Sequence, residues 1–148
     1  MFTIEEITET LEITDSFNKA LLLGNRRKIF EVLDEPRLTE IWNKYFAGRV
    51  PKTVSKEHSG NNENWRNINE QILFYLILLG QDRYNRIFWN ILGRVYQRSR
   101  FSECDKYAYV CYLNQCQISN NKNDYKFLQN YCVDKGFWVE AHHAAYMA

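Results

Sequence analysis

Proline and glycine are scarce in this chain, two and six in 148 residues, so few positions force the backbone to break. Histidine is scarcer still, with His58, His142 and His143. There is no His-Glu-x-x-His pair, no glycine-rich phosphate loop and no nucleophile elbow. Zinc-protease, nucleotide-binding and serine-hydrolase chemistry therefore lack their usual carriers. The four cysteines, Cys104, Cys111, Cys116 and Cys132, form no Cys-x-x-Cys, and their spacing fits no common zinc pattern. They read as buried free thiols. No segment alternates polar with β-branched residues at period two, which argues against a sheet. The first residues, MFTIEEITETLEITD, carry acids where an export signal carries bases. The longest apolar run, Ile72 to Leu79, is far shorter than the ~20 residues that cross a bilayer. The expectation is a cytoplasmic protein with no membrane association, no metal and no cofactor.

What the chain does have is ring-bearing and helix-forming residues. Aromatics reach 16%, as ten Tyr, nine Phe and four Trp, and hydrophobic residues reach 45%. That content supports a packed core. The length fits one domain over residues 1–148.

The helical signals run nearly end to end. Thr3-Ile4-Glu5-Glu6 is a capping box, predicting a first helix with Ile4, Ile7 and Leu11 inward. Asp15 or Ser16 can cap a second, carrying Phe17, Ala20, Leu21 and Leu22, which Gly24 would end. Asn25 caps a third with Ile29, Phe30, Val32 and Leu33. Pro36 opens a fourth with Leu38, Ile41, Trp42, Tyr45 and Phe46. Residues 48–64 are polar and aperiodic, a long loop with a weak strand candidate over 49–54. From Trp65 to Leu79 a helix is apolar all round, hence central, and Gly80 would stop it. Asp82 would cap the next helix and Ser102 the one after. A turn near 121–124 leads to a short helix over 125–133, closed by Gly136, and a last one over 137–146. The fold class is all-α: about eight mostly antiparallel helices in one domain, with an irregular array of helical hairpins as the variant.

Gly24, Gly80 and Gly136 stand 56 residues apart, which would mark a stacked repeat, although their flanks match poorly. Leu128, Gly136, Trp138, Ala141 and Ala148 resemble half of a tetratricopeptide repeat over about 20 residues, a pattern shared by any helical hairpin with a glycine turn.

Function rests on charge placement, because the net charge is only +1. Asp82 to Arg98 reads DRYNRIFWNILGRVYQR. Tyr84, Ile87, Phe88, Ile91, Leu92, Val95 and Tyr96 make one apolar stripe. Arg83, Arg86, Asn90, Arg94 and Gln97 make an opposite face with no carboxylate, and Trp89 sits at its edge. Glu5, Glu9 and Glu12 share a face of the first helix. A second helix offering matching acids or histidines does not stand out, so a solvated acidic face is favoured over a metal site. Arginines and aromatics dominate the energetics of protein interfaces. The first reading is therefore a non-enzymatic protein-binding module, using Arg83, Arg86, Trp89, Asn90 and Arg94, or Glu5, Glu9 and Glu12. In size, near-neutrality and lack of catalytic groups the chain resembles small single-domain inhibitors that neutralise a toxin or enzyme, bacterial immunity proteins among them. The resemblance implies inhibition by covering an active site, with the acidic helix suited to a basic nuclease toxin. The alternative is a small nucleic-acid-binding regulator, with the arginines on phosphates and the aromatics on bases.

Overall fold

Helices build the whole of the described chain, residues 3–46 and 68–148, in the computed structural model. The polar loop at 48–64, its strand candidate, His58 and Trp65 lie outside the described residues. The first element, α1 (Ile4–Leu23), starts at the predicted capping box: Thr3 Oγ1 accepts from the Glu6 amide and Glu6 Oε1 from the Thr3 amide, both at 3.1 Å. It absorbs both of the first two predicted helices. Asp15 and Ser16 do not interrupt it, because both face solvent and Asp15 pairs with Lys19 one turn on.

The inward face of α1 is also not the expected one. Thr10, Ile13, Thr14, Phe17, Ala20 and Leu21 are buried, whereas Ile4, Ile7 and Leu11 are exposed, Ile4 by 84%. Phe17 and Leu21 set the buried direction, and two and one helical turns back from Phe17 along it stand Thr10 and Thr14. Their hydroxyls donate to the carbonyls of Ile7 and Leu11 at 2.8 and 3.1 Å, so their burial leaves no polar group unmet.

Asn25 caps α2 (Arg26–Leu33) through the Lys28 amide. Pro36 opens α3 (Pro36–Ile41), which a π-helical turn, Trp42–Phe46, extends. The central helix is α4 (Ile68–Gln81), buried at every position from Gln71 to Leu79. Gly80 does not stop it. A Cβ there would lie 2.9 Å from the Leu33 carbonyl oxygen, so glycine lets α2 end against α4.

The arginine helix, α5 (Arg86–Gln97), begins a turn later than predicted. Asn85, not Asp82, caps it, accepting from the amides of Ile87 and Phe88. Arg83 and Tyr84 therefore sit in the α4–α5 turn. Next come α6 (Cys104–Ser119), with Glu103 rather than Ser102 at its N-cap, and α7 (Lys122–Lys135), capped by Asn121 and longer than expected. Last is α8 (Trp138–Met147).

From α4 to α8 each helix packs on the next, and α1 lies against α2, α4 and α6. The interior is aromatic: Trp89, Tyr75, Tyr96, Tyr112, Phe17 and Phe74 are its largest fully buried side chains. The 56-residue spacing does not mark a repeat. Gly24 and Gly136 close helices at φ 62° and 74°, while Gly80 serves close approach. The α7–α8 hairpin does form, with Leu128 and Ala141 buried, but Trp138 is 67% exposed rather than packed.

Candidate functional site

The face that sequence assigns to a partner is largely occupied from within. Arg83, in the turn before α5, pairs with Asp34 at the end of α2 and lies over the Phe30 ring at 5.1 Å. Arg86 binds Asp124 of α7 through two bonds, Nε to Oδ2 at 3.0 Å and Nη2 to Oδ1 at 2.7 Å. Asn90 donates to Gln115 Oε1 of α6 at 2.9 Å. Trp89 is fully buried, at 0% exposure, and its indole N–H donates to the Arg83 carbonyl at 2.8 Å. The expectation of an exposed tryptophan is thus corrected: the ring stacks near Phe17 of α1. Its position at the edge of the stripe turned it into the core once α1 covered that edge. Arg94 remains exposed, with no ion pair among the described residues.

A polar cluster therefore sits where three helices meet. Asp124 is nearly buried, and burial pushes its carboxyl up. Hydrogen bonds from Arg86, Ser119 and Gln115, with the Arg86 charge, outweigh that and hold it below the ordinary carboxylate range. Every group in the cluster has a structural partner, so it reads as a fastener between α5, α6 and α7. Sequence reasoning missed it because Asp124 lies in a segment that looked like a turn.

The thiols are set for packing. Cys111, Cys116 and Cys132 are buried and Cys104 half-buried, all four free. Burial is the main cause raising each of them, Cys132 to about 11 and Cys116 to about 12. Thiols so shifted are poor nucleophiles at neutral pH. His142 and His143 are exposed on α8.

The acidic residues of α1 have a different setting. Thr3, Glu5, Glu6, Glu9, Arg37, Glu40, Ile41 and Lys44 line a groove of about 420 Å³ between α1 and α3. Four carboxylates thus stand against two cations, and both cations are engaged. Lys44 meets Glu6 at 3.2 Å; Arg37 meets Glu35 at 2.9 Å and Glu12 at 3.6 Å. The carboxylates of Glu5, Glu9 and Glu40 have no ion pair among the described residues. The predicted trio Glu5, Glu9 and Glu12 is therefore brought onto one side, with Glu12 bridged to Arg37. Glu40 was not foreseen, since only the approach of α3 to α1, held by the Arg37–Glu12 and Lys44–Glu6 pairs, brings it there. The same turns of α1 expose Ile4, Ile7 and Leu11.

Comparison with known protein families, with curated proteins and with solved structures finds no match for this chain.

Proposed function

We propose that this domain is a non-catalytic protein-binding module whose docking face is the acidic groove between α1 and α3, and that its partner presents a basic segment there. The observation that carries the reading is the groove itself: three carboxylates without ion pairs among the described residues, Glu5, Glu9 and Glu40, around a recess of about 420 Å³. Carboxylates steer a cationic partner and fix its register. A partner with a basic active-site rim would be covered and inhibited, which is the inhibitor or immunity role in its concrete form. The nucleic-acid alternative is weakened by Arg83 and Arg86, whose charges are met by Asp34 and Asp124 and so are not free for phosphates.

The test uses immobilised protein and lysate of its own cells. The wild type should retain a basic protein that elutes with moderate salt. The triple variant Glu5→Lys, Glu9→Lys, Glu40→Lys should lose it, and the eluted partner's activity should fall on stoichiometric addition of wild-type protein. Retention undiminished by the triple variant would refute the acidic docking face. Salt-sensitive binding of wild type to DNA or RNA would favour the alternative instead.

A further inference from the structure

Among the described residues, α8 leaves one whole side uncovered. α8 packs on α7 through Ala141 and Ala144, which are buried. At 100° per residue the opposite side centres on Val139 and Tyr146, flanked by Trp138, His142 and His143. Val139 is 79% and Tyr146 85% exposed. This face holds no Lys, Arg, Asp or Glu; Glu140 is half-buried on another side of the helix. Two large rings and a valine in open water are costly to leave there. Their polar tips, an indole N–H and a phenol, suit an interface better than a core.

We infer that the outer face of α8 is a self-association surface, and that its occupant is α8 of a second copy of this chain. Two features select a second copy over another partner. First, the face holds no Lys, Arg, Asp or Glu. A charged face placed against itself meets like charge, whereas this one does not. Second, the areas fit. Rings of ~150–250 Å² each and a valine leave on the order of 500 Å² of apolar surface exposed on α8. A symmetric pair thus covers about 1,000 Å², the size at which specific interfaces begin. An antiparallel two-fold arrangement centred between His142 and His143 sets Val139 of one copy against Tyr146 of the other, so each copy contributes the same patch. This surface is separate from the acidic groove on α1 and α3 and does not rest on that reading.

Sedimentation of purified full-length protein over a concentration series tests it. The wild type should shift from a 17.8 kDa species to twice that mass at high micromolar concentration. Tyr146→Asp and Val139→Asp, each tested separately, should raise the dissociation constant of the pair about a hundredfold by burying a carboxylate against Val139 or Tyr146 of the other copy. Circular dichroism and melting temperature at low concentration should stay at the wild-type values, because both side chains are exposed. A wild type that remains monomeric overturns the inference. So does a dimer that both aspartate variants leave intact, since its interface would lie elsewhere.

Discussion

Arg86 and Asp124 close the space between α5 and α7 with a two-pronged pair, at 3.0 and 2.7 Å, although 38 residues separate them in sequence. Gln115 and Ser119 of α6 complete the shell around the carboxylate, and Asn90 holds Gln115 in turn. A guanidinium that looked outward in the sequence is thereby a tie between helices.

The first prediction concerns acid. Asp124 has a carboxyl pKa below its ordinary value, so the ionised form favours the folded state. Its contribution is complete above the ordinary carboxylate range and is lost as pH falls through the lowered value. Asp124→Asn should cost about 1–3 kcal/mol at pH 7. Chemical denaturation of variant and wild type should converge as pH drops well below 4. A difference that stays constant into acid would show that the charge of Asp124 contributes nothing.

Arginines on one helix face should respond unequally. Arg86→Glu sets two carboxylates together at a half-buried junction and should destabilise by roughly 3 kcal/mol. Arg94→Glu, on an exposed side chain without an ion pair among the described residues, should change stability by no more than about 0.5 kcal/mol. Equal losses in urea melts would contradict the internal role assigned to Arg86.

A third prediction follows from close packing. Gly93 of α5 is buried, and a Cβ at this position would overlap the ring of Tyr112 on α6. Tyr112 is fully buried and held between Gln97, through its hydroxyl, and the rings of Phe127 and Tyr131 at 4.9 and 5.0 Å. It has little room to yield. Gly93→Ala gains helix propensity worth about 1 kcal/mol, yet overpacking costs of 1–3 kcal/mol or more should win. A melting temperature at or above that of wild type would mean that α5 and α6 can separate without penalty.

Particular residues show how far the sequence can be read. Thr3 and Glu6, Asn25, Pro36 and Gly136 all perform the local tasks their types suggest, because capping and left-handed backbone are decided within a few residues. The central position of α4 was legible too, since a helix apolar on every side has no solvent face to offer. Trp89, Ile4 and Arg86 were misplaced for one shared reason. Periodicity reports which residues lie on one side of a helix, but not which neighbour covers that side. The acidic trio was found by spacing, whereas Glu40, Arg37 and Lys44, which complete the groove, come from α3 and the turn after it.

The order of residues sufficed to show that this chain folds as helices, where α1, α2 and α3 begin, where α7 ends, and that the interior is built from rings. These properties follow from short-range hydrogen bonding and from hydrophobic pattern. Tertiary structure alone decided which charges are neutralised inside the protein and which face water. Asp34 and Asp124 reach Arg83 and Arg86 only when α2 packs on α4 and α7 on α6, and no local rule encodes that meeting. The same packing left the carboxylates between α1 and α3, and the aromatic side of α8, open to solvent.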